Sequence, residues 1–314
     1  MAGMDARQLR YFVTVARLGS FSEAARRLHI AQPALSRHVK ALEEQLGVQL
    51  LTRESRGVRP TRSGEDLLAH AGHLLEQLDL LPQLVGSRSR RISGRVVIGL
   101  PTSASAVIAA PLLTAAIARL PQVRVHLIES LSGYLQEWIE SGRLDLAIVY
   151  DPHPNPAIRI DPILVEDLWL VGGPGSLPTD RQSLPFRELS RFPLVLPGAT
   201  HSHRRLVEGL AERQATPLNL LAEIDSLTVQ KAMLASGNAY TILARGAIHA
   251  ELAAGSLQAL RIVDPVISRT VTLATALSRS QSLACAALAK LTLEIANELA
   301  AAGVWTGLPG GKSG

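Results

Sequence analysis

Between Gly19 and Gly47 the chain places two helix starts so close together that few folds remain open to it. In "GSFSEAARRLHI" Ser20 stands at a capping position, with Glu23 three residues on to reach back. Phe21, Ala24, Ala25 and Leu28 then fall on one helical face. In "AQPALSRHVKALEEQLG" Pro33 suits a first helical turn, where a missing N–H costs nothing. Leu35, Val39, Leu42 and Leu46 repeat at helical spacing, and Gly47 ends the run. Only a tight turn around His29 and Ile30 separates the two, so they must cross and share one core. Upstream, Asp5 and Gln8 form the pattern of a capping box for another helix, with Leu9, Phe12, Val13 and Ala16 as its apolar face.

The second helix of the pair is lopsided. Ser36, Arg37 and Lys40 project near its N-terminal half, and Glu43 and Glu44 sit toward its C-terminal end, where carboxylates oppose the helix dipole. That distribution suits entry of the N-terminal half into a DNA major groove. Arg37 offers a bidentate fork to guanine, Gln32 an amide pair to adenine, and Ser36 a hydroxyl to base or phosphate. Charge points the same way. The whole chain of 314 residues carries +5, but its first 62 residues carry +6 and the remainder −1. A basic excess confined to one module is the footprint of a polyanion partner. Downstream, "GVQLLTRESRGVRPTRSGE" predicts a small hairpin: Val48, Leu50 and Leu51 on the inner strand, "ESRG" as the turn and "VRPT" as the return. Arg53, Arg56 and Arg59 cluster on this wing, placed to follow a phosphate backbone or probe a minor groove.

The stretch "LRYFVTVARLGSFSEAARRLHIAQPALSRHVKALEEQLGVQLLTR" resembles the N-terminal winged helix-turn-helix of LysR-type transcriptional regulators. The resemblance implies DNA contacts at Gln32, Pro33, Ser36, Arg37 and Arg53. Leu51 departs from the phenylalanine usual there, a change that touches wing packing more than DNA reading.

From Ser63 to about Val85 the sequence "SGEDLLAHAGHLLEQLDLLPQLV" places Leu67, Ala71, Leu74, Leu78, Leu81 and Val85 in alternating steps of four and three. Such an a/d seam must be buried against something. The resemblance implies a partner chain, so Leu67, Ala71, Leu74, Leu78 and Leu81 are expected to form a dimer seam. Pro82 should kink or end the helix, and "GSRSRRISG" reads as a hinge. His70 and His73 have a metal-compatible spacing, but no further ligand is placed to complete a site.

The rest of the chain alternates short apolar strands with helical segments, the pattern of βαβ units and a parallel sheet. One set begins at "RVVIGL" and a second at "ILVEDLWLVGGPG". Two α/β lobes should hold ligand beyond the carboxyl ends of their strands. "PTSAS" and "GATHSH" occupy equivalent places in the two sets, and their hydroxyls and helix-start amides suit an anion. This region resembles the effector-binding domain of the same family, which is like the periplasmic solute-binding fold. "LSGYLQEWIESGRLDLAIVY" and "EIDSLTVQKAMLASG" carry the likeness. It implies an effector cleft lined by Thr102, Ser103, Ser132, Thr200 and His201. "SGRLDLAIVYDPHPNP" and "LVEDLWLVGGPG" are most similar to the nitrogen-assimilation-control subgroup. "GNAYTILARGA" departs from the family at Asn238, Ala239, Tyr240 and Ala244, which predicts an altered or absent effector response.

The expected fold is therefore α/β, with an N-terminal all-α winged helix-turn-helix, a long linker helix and a two-lobed periplasmic-binding-protein-like effector domain. The expected bounds are 1–62 for the first, 63–93 for linker and hinge, and 94–302 for the effector domain. Its lobe 1 takes 94–162 and 269–302, its lobe 2 takes 163–268, and 303–314 is an expected disordered tail. The implied function is transcriptional regulation by sequence-specific DNA binding under a small, anionic effector. Expected partners are double-stranded DNA, the effector, a second copy of the chain in a dimer and a tetramer, and RNA polymerase. A solute-binding protein with a vestigial N-terminal domain is the alternative. No Gly-x-Ser-x-Gly elbow is present and "GGPG" opens no helix, so no catalytic residue, metal or cofactor is expected. The single cysteine, Cys285, excludes an intrachain disulfide and reads as inert core. No uninterrupted apolar run of about 18 residues suggests a membrane span, and the cytoplasm is the expected compartment.

Overall fold

Asp5 caps the first helix in a computed structural model that describes residues 5–54, 57–68, 71, 75, 92–153, 155–277 and 282–309. Its side chain accepts the Arg7 N–H at 2.9 Å, and the Gln8 side chain returns to the Asp5 N–H, completing the expected box on α1 (Ala6–Leu18). Ser20 accepts the Glu23 N–H at the head of α2 (Phe21–Leu28), but the Glu23 carboxylate pairs with Arg26 one turn along rather than reaching back. Pro33 lies in the first turn of α3 (Gln32–Leu46). Phe12, Ala24, Leu35, Val39 and Leu42 close one core among the three helices. Leu46 and Val48 remain exposed, so the stripe ends one turn earlier than its spacing predicts.

β1 (Leu51–Glu54) and β2 (Gly57–Pro60) pair antiparallel as the wing, with Leu51 opposite Pro60. Leu51, 6% exposed, fills the inner side. The Val58 N–H donates to the Gly19 carbonyl at 2.9 Å, seating the wing on the α1–α2 turn. Thr61 caps the helical residues 62–68 (α4) by accepting the Gly64 N–H at 3.0 Å. A Cβ at Gly64 would lie 2.0 Å from the Leu50 carbonyl oxygen, so only glycine lets this helix cross the base of the wing. Leu67 and Leu68 pack on the N-terminal core, and Ala71 and Leu75 are buried in it. Ala71 thus has no surface left for a partner: this part of the expected dimer seam completes the chain's own core. Leu74, Leu78 and Leu81 lie outside the described residues, as do His70 and His73.

Residues 1–91 form one unit and 92–314 another. In the second, β3 (Gly94–Pro101) runs parallel to β4 (Val123–Ser130) and β5 (Leu146–Tyr150). Helix α5 (Thr102–Arg119) connects β3 to β4, and α6 (Ser132–Glu140) connects β4 to β5. Val96, Ile98 and Leu100 face α5 on one side of this sheet, and Val97 packs with Leu135 and Ile139 of α6 on the other. The all-parallel expectation then fails. β6 (Ile158–Gly172) is one long strand that belongs to both lobes. Its first half pairs antiparallel with β12 (Ser268–Ala276), which also pairs with β5. Its second half pairs antiparallel with β10 (Thr241–Ala244) and β11 (Gln258–Val263). Parallel and antiparallel pairs therefore mix in both lobes.

Lobe two adds β7 (Ser183–Pro185) beside β11 and a parallel pair, β8 (Leu194–Leu196) and β9 (Leu220–Glu223). Around them stand α7 (Ser202–Arg213), α8 (Leu227–Ala235) and α9 (His249–Ala253). α10 (Leu283–Ala301) returns to lobe one and buries Cys285. By length and mean composition α5 is apolar enough to cross a membrane, although Thr102, Ser103, Ser105 and Thr114 interrupt its apolar run. Ile108, Leu112 and Ala116 are nevertheless spent in a core shared with β3, β5, β12 and α10.

The expected disordered tail is also corrected. Trp305 is 1% exposed, and β13 (Leu308–Pro309) pairs with Leu164 and Val165 of β6. A Cβ at Gly307 would meet the Val165 carbonyl oxygen at 2.5 Å, so glycine permits the approach. Burying an indole with its N–H satisfied outweighs ordering a few residues. Residues 310–314 lie outside the described part.

Candidate nucleic-acid interface and interlobe cleft

Gln32, Pro33, Arg37 and Lys40 are exposed on α3 and Ser36 is half-buried beside them, opposite the buried Leu35, Val39 and Leu42. The spacings 32–36–40 and 33–37 put all five on one face. The Ser22 hydroxyl of α2 donates to Gln32 Oε1 at 3.1 Å, leaving the amide NH2 to point outward. Ser22 therefore orients a donor that the sequence reading treated as free. The wing residues Arg53 and Arg56 have side chains outside the described part, and Arg59 is exposed on β2.

Glu43 explains the acid at the wrong end of α3. Its Oε1 accepts the N–H groups of Leu50 and Leu51 at 2.8 and 3.0 Å. Two charge-assisted bonds outweigh an unfavourable dipole contact, and they tie wing to helix. Glu43→Gln should cost about 1 kcal/mol in denaturant unfolding; an unchanged midpoint would place those N–H groups in water.

The second site opens between the lobes of residues 92–314. Its lining includes Thr102, Ser103, Ser132 and His201, four of the five expected residues. Thr200 is not among them: it is exposed, and its carbonyl accepts from Arg205. α5, α6 and α7 all begin here, behind Pro101, Leu131 and His201, and none of the three has a side-chain cap. The Ala104 N–H in the first turn of α5 is taken by the Tyr150 hydroxyl, and helix geometry leaves the other first-turn N–H groups without intrahelical acceptors. Ser132 and Ser202 Oγ meet at 2.7 Å, linking the lobes. The cleft volume is about 50 Å³.

Sequence reasoning missed the buried polar ladder behind this opening. Arg269 is 5% exposed and Glu166 is 2% exposed. Arg269 donates to Glu166 Oε1 through Nε at 2.7 Å and approaches it through Nη2 at 2.6 Å. Its Nη2 also donates to Ser103 Oγ at 3.1 Å, and Ser103 Oγ lies 2.7 Å from the Tyr150 hydroxyl. The guanidinium stacks 3.6 Å from the centre of the Tyr150 ring. Trp305 Nε1 donates to Glu166 Oε2 at 2.9 Å. Burial pushes the Tyr150 phenol up to about 12, against the pull of Arg269, so it stays neutral. A lone arginine in the apolar strand "VISRTVTLATA" was the available signal.

His201 Nε2 lies 3.2 Å from Asp225 Oδ1, an approach short of a well-aligned hydrogen bond. Burial lowers its pKa despite that carboxylate. Asp225 also accepts the Gly198 N–H at 2.9 Å. His203, on α7, is pushed down to about 3 by burial and by the charge of Arg269, and is neutral at physiological pH. Among the described residues no three His, Cys, Asp or Glu side chains gather as metal ligands. Tyr240, one of the departures noted above, points away from the cleft: its hydroxyl donates to the Ser176 carbonyl and its ring packs on Phe192.

Both units of the chain match known protein families. Residues 6–65 match the bacterial regulatory helix-turn-helix protein, lysR family, and residues 89–296 match the LysR substrate binding domain. The HTH-type transcriptional regulator BbuR of Bordetella bronchiseptica is 33% identical over 306 residues, 98% of this chain and 94% of that protein. The nitrogen assimilation regulatory protein nac of Klebsiella aerogenes is 36% identical over 275 residues, 86% of this chain and 88% of that one. Full-length OxyR of Pseudomonas aeruginosa superposes with a TM-score of 0.72 at 26% identity, covering 95% of this chain and 96% of its own. CbnR, a structure solved with its target DNA, superposes at 0.62 and 23% identity, covering 93% of this chain and 100% of its own.

Proposed function

The chain belongs to the LysR family of transcriptional regulators, with a helix-turn-helix DNA-binding domain and an effector-binding domain, and from that premise we propose that a small anion held between its lobes controls which DNA it grips. The observation that carries the reading is the meeting of three uncapped helix starts at one polar opening. Helix N-termini favour negative charge, and N–H groups already aimed at the site need no rearrangement. The hydroxyls of Thr102, Ser103 and Ser132 supply further donors there. An anion that bridges the lobes binds their closed arrangement more tightly, and that difference in affinity is all a population shift requires.

On the DNA side, Gln32, Ser36 and Arg37 read base edges, and Pro33, Lys40, Arg53 and Arg56 follow the backbone. Members of this family bind DNA and small effectors as oligomers. We propose a dimer that spaces two reading helices about 34 Å or a multiple apart, joined through the expected seam residues Leu67, Leu74, Leu78 and Leu81, and its further assembly to a tetramer in the cytoplasm. Contact with RNA polymerase follows if the regulator activates. The solute-binding alternative is not favoured, because the DNA-binding domain is complete.

The test begins with genome-wide mapping of bound DNA and continues on the recovered operators. Between 50 and 200 mM salt their affinity should fall about a thousandfold or more; affinity indifferent to salt rejects the DNA reading. Thr102→Val with Ser132→Ala should weaken anion binding about tenfold and leave operator affinity without anion unchanged. Undiminished anion binding by this double variant would place the site elsewhere.

A further inference from the structure

We infer that the cleft selects a small acid bearing a hydroxyl group beside its carboxylate, and that His203 is the residue that recognises the hydroxyl. The inference rests on the anion site proposed above and adds the group that separates one acid from another.

The lining is rich in donors: the helix-start amides and the hydroxyls of Thr102, Ser103 and Ser132. Gln230 also lines the cleft; its NH2 donates to the Ile224 carbonyl, and its oxygen lies 3.4 Å from Thr241 Oγ1, whose proton goes to the Val195 carbonyl at 2.7 Å. His203 differs from all of these. It is 9% exposed, its ring lines the cleft, and its Nε2 has no hydrogen-bond partner. The Ile242 carbonyl takes the ring's other hydrogen bond, so the proton sits away from Nε2. Burial and the cations around the ring keep it unprotonated, leaving Nε2 a bare acceptor.

Leaving a buried acceptor without a partner is unfavourable, and a ligand donor removes that cost. A site built this way also rejects an analogue that lacks the donor, because the polar atom then stays unpaired. The donor is neutral. Arg269, His201 and Arg204 each disfavour a proton on the His203 ring. An ammonium group meets the same opposition, whereas a hydroxyl does not. The carboxylate itself cannot face Nε2, lone pair against lone pair, so it sits at the helix starts and the hydroxyl turns to His203. A cleft volume of about 50 Å³, roughly three to five water positions, suits a small acid.

Lactate and propionate, which differ by one hydroxyl, form the test pair. Titration calorimetry on the full-length protein should show lactate, in one of its two enantiomers, binding at least tenfold more tightly than propionate. His203→Leu should abolish that preference and leave propionate affinity within about twofold. His203→Gln, which restores an acceptor near Nε2, should recover part of it and guards against a simple folding defect. Equal binding of both acids by the wild-type chain overturns the role of His203 while the anion site stands. Binding of neither acid overturns the anion site and this inference together. A preference that survives in His203→Leu assigns the hydroxyl to another residue and also overturns it.

Discussion

Glu166→Ala should unfold the effector domain at markedly lower denaturant, with a loss of about 3–5 kcal/mol. Three donated contacts end on this one carboxylate, two from Arg269 and one from Trp305. Deleting it leaves a guanidinium buried with no counter-charge and an indole N–H with no acceptor. Removing one member of a buried pair costs far more than the pair contributes, because the desolvation of the survivor is no longer offset. For a domain of this size the loss corresponds to a drop of about 10 °C in melting temperature. A loss below about 1 kcal/mol would mean that water reaches Arg269.

A second variant separates the worth of the pair from the penalty of breaking it. Glu166→Leu combined with Arg269→Met replaces both charges by apolar groups of similar volume and should recover most of the lost stability. It should not recover effector response. Arg269 also holds Ser103 and stacks on Tyr150 at the cleft, and β6, which carries Glu166, runs from one lobe into the other. Trp305 and β13 fasten the end of the chain to that same strand. The ladder therefore connects cleft, lobe junction and C-terminal segment through single hydrogen bonds. Stability without response is the expected outcome of the double variant, measured by denaturation and by anion-dependent DNA binding.

What could be read from the sequence divides along a physical line. α1, α2 and α3 were legible because caps, stripe and stop are local signals: Asp5, Ser20, Pro33 and Gly47 act within one turn of where they stand. The antiparallel course of β6 was not, since strand direction is decided by partners about a hundred residues away, as in Val165 against Thr270. Glu166 and Trp305 were invisible for a related reason. Each is an ordinary residue until its neighbour across the fold is known, and a C-terminal run of Gly, Pro and Lys looks disordered unless one sees where its indole is buried. Ala71 shows the converse error. Its heptad spacing was read correctly as a buried stripe, but periodicity does not say whether the surface that covers it belongs to the same chain.

On an operator, Arg37→Ala should weaken binding about thirtyfold, near the middle of the 1–3 kcal/mol that one bidentate base contact contributes. The side chain is exposed on the same face as Gln32 and Lys40, and the core residues Leu35 and Val39 lie behind it. Its removal should therefore leave folding intact, which urea titration of the isolated protein would verify. The diagnostic quantity is the ratio of operator to random DNA. A base-reading arginine contributes only where its guanine is present, so the ratio should fall with the affinity, and preference at one base pair should relax. Lys40→Ala is the contrasting case. A phosphate contact is lost equally on every sequence, so binding should weaken uniformly and the slope of log affinity on log salt should lessen by about one. Should Arg37→Ala behave as Lys40→Ala is expected to, with operator and random DNA weakened alike, the arginine holds the backbone and base reading passes to Gln32 and Ser36. Ser22→Ala then becomes the sharper probe, because the Ser22 hydroxyl is what holds the Gln32 amide in place.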